Sequence, residues 1–216
     1  MAEALLAGLV PIVAFVLSPE DAGEADMAGS EVITVTERVM AKMSSTQHPR
    51  GGPIAVLSMP DLADRPSGSA VVLWGVSDPG NVGTAIRSAV AFGTSIVLGP
   101  GCADLWGPKV LRAAAGAHFA GSVVHAPALN IQQLRTWGVR VVAAVPRGGA
   151  GLGQLATSPS AVLVGGEGAG LPAEIIESCD GLLTIEMPGG SESLNAGVCA
   201  SLMAYELART PAGDPR

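Results

Sequence analysis

The sequence predicts an α/β protein in which a parallel sheet is covered by helices on both faces, preceded by a smaller α/β unit. Three observations support this class. Short β-branched runs alternate with helical segments through the C-terminal two-thirds of the chain. Hydrophobic residues make up 48% of the chain and charged residues only 14%, which favours a packed core. The 29 glycines concentrate between the apolar runs, where tight strand-to-helix turns are needed.

Residues 1–60 predict a small α/β domain. Its predicted helices are Ala2–Ala7 and Thr36–Met43, the second with Thr36 as N-cap, and its predicted strands are Ile12–Leu17, Glu31–Val35 and Ile54–Ser58. These elements are few for a domain, so we expect a truncated unit that lacks elements upstream. Residues 61–69 contain Pro66, Gly68 and several charges, and they form the predicted linker.

Residues 70–216 predict the larger domain. Its strands are expected at Val71–Val76, Ser95–Leu98, Val139–Val145, Ala161–Val164 and Leu182–Met187. Its helices are expected at Thr84–Phe92, Pro108–Ala115, Ile131–Trp137, Pro172–Ser178 and Leu194–Arg209. In such sheets ligands bind beyond the carboxyl ends of the strands, so the loops after the strands are the expected site of chemistry.

Charge and cysteine content restrict the function classes. The net charge of −7 argues against a generic polyanion binder, but the acid excess is concentrated in residues 1–66 and leaves the remainder close to neutral. The three widely spaced cysteines, Cys102, Cys179 and Cys199, indicate reduced thiols in the cytoplasm. The apolar stretch Ala4–Leu17 is too short to span a bilayer, so no membrane association is expected. His48, His118 and His125 show no metal-ligand spacing, so no metal is expected.

Two of the four predicted loops contain a basic residue or lead into a helix that carries one. The first runs from Ser77 to Gly83 and continues into the helix that carries Arg87. Asn81 and Arg87 are about one and a half helical turns apart, and we expect both to point toward the strand ends. A guanidinium there could bind phosphate or ribose, although a plain strand-to-helix turn explains the same residues. The second loop, Pro146–Gly149, is basic and glycine-rich. It could approach a ligand closely, and a plain surface turn explains the same residues at least as well.

The other two loops combine glycines with polar side chains. Gly165–Pro172 holds four glycines around Glu167, which would let the backbone lie against a ligand or would simply form a flexible turn. Pro188–Asn195 opens the last helix, with Ser193 as a possible N-cap and Asn195 in the first turn. No Gly-x-Gly-x-x-Gly, Gly-Lys-Ser/Thr or Gly-x-Ser-x-Gly pattern is present, which disfavours a dehydrogenase, a P-loop NTPase and a hydrolase.

Taken together, three of these loops resemble the SpoU (TrmH-like) family of the SPOUT methyltransferase superfamily. The matching segments are Asp78–Gly83 with Arg87, Gly165–Leu171, and Met187 through Ser193-Leu194-Asn195 into the helix. They occur in the family's order, and the match covers about residues 68–209. Residues 1–60 resemble the accessory RNA-binding domain of many rRNA-type members. Gly197 departs from the bulkier apolar residues usual in the family, and a glycine within a helix costs about 0.5–1 kcal/mol.

The resemblance implies S-adenosylmethionine (SAM) as methyl donor, a SPOUT-type C-terminal trefoil knot, and a homodimer with active sites at its interface. The implied cofactor-binding residues are Val145, Gly165, Ile185 and Leu194. The implied catalytic residues are Asn81, Arg87, Glu167, Ser193 and Asn195.

The expected reaction is transfer of a methyl group to a ribose 2′-hydroxyl in RNA, with ribosomal RNA preferred over tRNA. Neutralising an arginine at pH 7 costs roughly 8 kcal/mol, so we expect Arg87 to stay charged and hold a phosphate while phosphate or water accepts the proton. The alternatives are a tRNA 2′-O-methyltransferase, a non-catalytic RNA- or SAM-binding relic, and a different nucleotide-binding α/β enzyme.

Overall fold

The computed structural model describes residues 8–9, 11–21, 29–44, 53–155 and 159–209. The chain divides into two compact units, Met1–Asp61 and Leu62–Arg216. The division falls at the start of the segment predicted as a linker, and residues 61–69 contain no helix or strand. The helix expected at Ala2–Ala7 lies outside the described residues.

The first unit contains a three-stranded sheet and one α-helix among its described residues. Strand β1 (Val13–Val16) pairs in parallel with β2 (Glu31–Thr34) and antiparallel with β3 (Ile54–Val56). Helix α1 spans Glu37–Met43, and the Thr36 side chain accepts a hydrogen bond from the Val39 amide, as predicted for an N-cap. The three strands are one to two residues shorter than expected.

The second unit is built on a seven-stranded sheet in the order β6-β5-β4-β9-β7-β10-β8, and every strand pair in it is parallel. The strands are β4 (Ala70–Trp74), β5 (Ser95–Leu98), β6 (Val123–His125), β7 (Arg140–Ala144), β8 (Ala150–Gly151), β9 (Ser160–Gly165) and β10 (Gly181–Thr184). The helices are α2 (Pro79–Ala91), α3 (Pro108–Ala114), α4 (Ile131–Thr136), α5 (Ala173–Glu177) and α6 (Ala196–Arg209). The predicted parallel α/β sheet is therefore confirmed. Strands β6 and β8 were not expected, because runs of three and two residues are too short to show a strand pattern.

Helix α2 begins five residues before the predicted start at Thr84. The Asp78 side chain accepts a hydrogen bond from the Asn81 amide at 2.8 Å, and Pro79 occupies the first helical position. Proline is favoured there because its missing N–H would have no partner within the helix. The Asp-Pro-Gly-Asn segment that predicted a turn is thus the N-cap and first turn of α2, and this places Asn81 inside the helix.

The sheet is buried on both faces, which explains the continuous apolar runs of its strands. In β4, Val71 and Leu73 pack with α2 and α6, while Ala70 and Val72 face the opposite core. All four are fully buried. Because the strands are parallel, their carboxyl ends lie at one edge of the sheet, and the loops described below project from that edge. Among the described residues, no helix is long and apolar enough to cross a membrane.

Candidate active site

A cavity of about 540 Å³ lies at the carboxyl edge of the sheet. It is lined by the loops after β7, β9 and β10 and by the start of α6. The four positions expected to bind a cofactor, Val145, Gly165, Ile185 and Leu194, all line it. The volume is in the range of small-molecule sites, and the lining combines exposed backbone with the apolar side chains of Leu171, Ile176, Ile185, Met187 and Met203.

The glycine-rich loop after β9 is tightly folded. The Gly166 amide donates to the Trp74 carbonyl at 3.0 Å, and the Gly170 amide donates to the Gly166 carbonyl at 3.0 Å. A Cβ atom on Gly165 would lie 2.3 Å from the Gly170 carbonyl carbon, and one on Gly166 would lie 2.1 Å from the Gly75 oxygen. Glycine at these two positions is therefore a packing requirement, because any side chain would displace the backbone of the loop.

Asn81, Glu167 and Asn195 form a hydrogen-bonded cluster at this edge. Glu167 Oε1 accepts from Asn81 Nδ2 and from Asn195 Nδ2, each at 2.8 Å. Asn195 Nδ2 also donates to Asn81 Oδ1 at 2.8 Å. The side chain of Asn81 is buried, whereas Glu167 and Asn195 line the cavity and are exposed. The cluster ties α2, the glycine loop and the start of α6 to one another.

The start of α6 differs from the prediction. The helix begins at Ala196, two residues after the expected start, and Asn195 Oδ1 accepts from the Val198 amide at 3.1 Å. Asn195 is therefore the residue that caps α6, and Ser193, considered as a cap from the sequence, lies in the preceding loop. Ser193 lines the cavity and is exposed.

The structure explains why a glycine occupies position 197 within a helix. A Cβ atom there would lie 3.2 Å from both the Cα atom and the carbonyl oxygen of Asn81, and 3.3 Å from Asn195 Oδ1. The absence of a side chain lets α6 approach the first turn of α2 closely enough for the two asparagine side chains to bond. The conformational cost of a helical glycine is offset by this contact.

Arg87 makes no contact with the cluster of Asn81, Glu167 and Asn195 in its own chain. It is exposed on α2, does not line the cavity, and has no hydrogen-bond or ion-pair partner among the residues that the structure describes. Six residues correspond to about 600° of helical rotation, so Arg87 lies about 240° around the helix from Asn81. The expectation that both residues reach the same space fails for this geometric reason.

Arg87 is on α2, and the exposed sides of α2 and α6 form a surface that we call the α2–α6 face. Ser88 of α2 and Ser201 of α6 are hydrogen-bonded at 2.7 Å, and the rings of Phe92 and Tyr205 pack edge to face with centroids 5.3 Å apart. The apolar side chains exposed on this face are Phe92, Val198, Leu202 and Tyr205. Val198, Leu202 and Tyr205 have the spacing of a single helical stripe.

One polar residue at the site was missed from the sequence. Thr184, the last residue of β10, accepts a hydrogen bond from the Gly149 amide at 2.9 Å and donates to the Val145 carbonyl at 3.1 Å. It fastens both ends of the loop after β7 to the end of β10. No sequence signal could have found it, because its partners are 35 and 39 residues away.

The thiol that lines the cavity is protonated at neutral pH. Burial raises the pKa of Cys199 to about 11, and this side chain is therefore an apolar part of the wall. No group of three or more His, Cys, Asp or Glu side chains that could hold a metal ion occurs in the described part of the chain.

Comparison with known proteins places these features in a family. Residues 68–205 match the SpoU rRNA Methylase family. The chain is 35% identical over 182 residues to the 23S rRNA (guanosine(2553)-2'-O)-methyltransferase RlmP of Bacillus subtilis, covering 83% of this chain and 73% of that protein. It is 34% identical over 182 residues to an uncharacterized tRNA/rRNA methyltransferase of Synechocystis sp., covering 81% of this chain and 66% of that protein.

A solved structure supports the same grouping. The AdoMet-bound rRNA methyltransferase from Sinorhizobium meliloti superposes with a TM-score of 0.80 at 27% sequence identity, over 96% of this chain and 83% of that one. The fold similarity thus extends over both units of the chain, whereas the family match covers the second unit.

Proposed function

The chain belongs to the SpoU rRNA methylase family, and from this premise we propose that it transfers the methyl group of SAM to a ribose 2′-hydroxyl in ribosomal RNA. The observation that carries the proposal is the Asn81–Glu167–Asn195 cluster at the mouth of a cavity lined by all four expected cofactor positions. The Bacillus relative, by its name, methylates 23S rRNA on a ribose oxygen. A cytoplasmic location follows from a ribosomal substrate.

The residues around the cavity fit SAM. Apolar side chains such as Leu171 and Ile176 suit the faces of an adenine ring, and the backbone of Val145 and of the glycine loop offers amides and carbonyls for its edge and for ribose hydroxyls. When bound, SAM supplies a methyl group activated by the positive charge on sulfur. The protein's contribution is then mainly alignment, which can lower a barrier by several kcal/mol.

In this proposal the polar residues divide into two roles. Asn81, Glu167 and Asn195 fix the cavity wall, because their mutual hydrogen bonds join three separate segments. Ser193 contacts the target nucleotide, since its hydroxyl is exposed at the cavity and has no hydrogen-bond partner among the described residues. Arg87, charged at neutral pH, binds the adjacent phosphate, and phosphate or water accepts the proton of the 2′-hydroxyl.

In this proposal Arg87 takes its role across a homodimer, because it does not line the cavity of its own chain. A second copy is the proposed occupant of the α2–α6 face. That face exposes four large apolar side chains, and its helix α6 also lines the cavity through Ala196, Cys199 and Met203. A two-fold pairing through this face would bring Arg87 of one protomer toward the site of its partner.

Two further features belong to the proposal. We infer a C-terminal trefoil knot. It is supported by the path of the chain after β10, which lies on the far side of β7 from β9. From there the chain returns across the sheet, and α6 packs against β4 and β9. We also infer that residues 1–60 are an accessory RNA-binding domain, with 61–69 as linker and 70–216 as the methyltransferase domain. The three-stranded sheet of the first unit supports this inference.

The first test is titration calorimetry with SAM and with S-adenosylhomocysteine. We expect micromolar binding at one site per chain. Transfer of labelled methyl to unmodified rRNA, with tRNA as the competing substrate, then identifies the RNA. Transfer to tRNA alone would favour a tRNA 2′-O-methyltransferase, an activity that the name of the Synechocystis relative also allows. SAM binding without transfer to either RNA would support a non-catalytic relic.

The dimer arrangement is tested by mixing two inactive variants. We expect Arg87→Ala and Ser193→Ala each to abolish transfer while SAM still binds. If Arg87 serves the partner's site, random mixing restores about a quarter of the activity, because half of the dimers are mixed and each carries one intact site. No restored activity from mixed dimers of confirmed composition would contradict the arrangement.

A further inference from the structure

The basic loop after β7 contains a charged residue, Arg147, to which the proposed function gives no role. Its residues run from Val145 to Gly149, and we call it the Arg147 loop. Val145 and Pro146 line the cavity, whereas Arg147, the next residue, does not line it and is exposed. The guanidinium therefore belongs to the rim of the site and lies outside the proposed cofactor space.

The Arg147 loop is held in one shape by several contacts. Thr184 Oγ1 bridges its two ends, with 2.9 Å to the Gly149 amide and 3.1 Å to the Val145 carbonyl, and the Val145 amide donates to the Leu183 carbonyl at 2.8 Å. A Cβ atom on Gly149 would lie 2.6 Å from the Leu183 carbonyl carbon, so the loop backbone packs directly on β10. Gly148 has a φ of +81°, which favours glycine at the turn.

The charge of Arg147 is available to a ligand. Among the residues that the structure describes, Arg147 forms no ion pair or hydrogen bond. Exposed carboxylates occur in the loops at this edge of the sheet, at Glu167, Glu186 and Glu192. RNA approaching this edge meets these three carboxylates, so a cation at the rim has a clear electrostatic use.

Resting on the proposed function, we propose that Arg147 is a substrate-contact residue that binds a phosphate of the RNA beside the target nucleotide. An arginine presents a planar fork of donors that matches two phosphate oxygens. Because Thr184 already holds the backbone of the Arg147 loop, the ordering cost of the contact is confined to the arginine side chain.

The test compares Arg147→Ala, Arg147→Lys and Arg65→Ala with the unmodified chain. Arg65 is the matched control, because it is also exposed and without a partner among the described residues, but it precedes β4 at the opposite edge of the sheet. For Arg147→Ala we expect the KM for RNA to rise about 10-fold, with kcat and the Kd for SAM unchanged. Arg147→Lys should recover only part of the affinity, because the charge remains but the planar fork of donors is lost.

The second readout is the salt dependence of RNA binding, measured with S-adenosylhomocysteine present so that no turnover is needed. The slope of log K against log salt should fall by about 0.7–0.9 in Arg147→Ala, as expected for one lost phosphate contact, and should not change in Arg65→Ala. An Arg147→Ala slope equal to that of the control, or a loss confined to SAM affinity, would overturn the assignment. A chain that binds RNA without methylating it would contradict the proposed reaction, while the slope would still decide the role of Arg147.

Discussion

Replacing Glu167 and Asn81 by alanine, singly and together, tests whether the cluster at the site works as a unit. Glu167 Oε1 accepts two amide hydrogen bonds of 2.8 Å, and hydrogen bonds to charged groups contribute about 1.5–3 kcal/mol. Glu167 is exposed, so solvent reduces this value, and we expect the Glu167→Ala variant to lose about 1–2 kcal/mol of unfolding free energy. Most of the loss comes from Asn81, whose buried amide is left without its carboxylate acceptor.

The double variant should lose less than the sum of the single variants. Once Asn81 is absent, removing Glu167 breaks only the bond to Asn195, so a coupling of about 1 kcal/mol is expected between the two positions. The assay is thermal unfolding of the four chains, in which 1 kcal/mol corresponds to a shift of roughly 2–4 °C for a protein of this size. Glu192→Ala is the control, because it removes the same charge from an exposed position in a neighbouring loop. Additive losses, or an equal loss in the control, would refute the view that these side chains stabilise one another.

Three further predictions follow from individual contacts. Gly83→Ala should cost about 1–3 kcal/mol, because the new Cβ atom would lie 2.4 Å from that of Ala113; Gly153→Ala, which adds a methyl group in open space, is the control in thermal unfolding. Thr184→Val should weaken SAM binding in calorimetry by releasing the Val145 carbonyl, and an unchanged Kd would show that the loop does not need this hydroxyl. At pH 8 the native Cys199 thiol should react with iodoacetamide about 100-fold more slowly than in denaturant, because a pKa of about 11 in place of 9.0 lowers the thiolate fraction by that factor; equal rates would contradict its burial.

Much of the fold was predictable because its signals are local. The expected strand Ser95–Leu98 has the observed limits, and the strand expected at Ala161–Val164 is observed one residue longer at each end. Buried parallel strands are continuous apolar runs, and helices carry their own period, so both patterns are visible within a few residues. The start of α2 was misplaced because Asp-Pro-Gly-Asn suits both a free turn and a helix N-cap, and only the contact between Asp78 and the Asn81 amide distinguishes the two.

The sequence by itself determined the order of the elements and the loops that carry polar residues. The tertiary structure decided which of those residues meet. Glu167 lies 86 residues from Asn81, and Asn195 lies 114 residues from it, and they bond because β4 and β9 are neighbours and α6 packs against α2. Arg87 is predicted in the same group but does not contact it, because the direction of a helical side chain depends on which face of the helix is buried. Strand order and helix rotation are settled by packing of the whole core, and this information is not contained in any local segment of the chain.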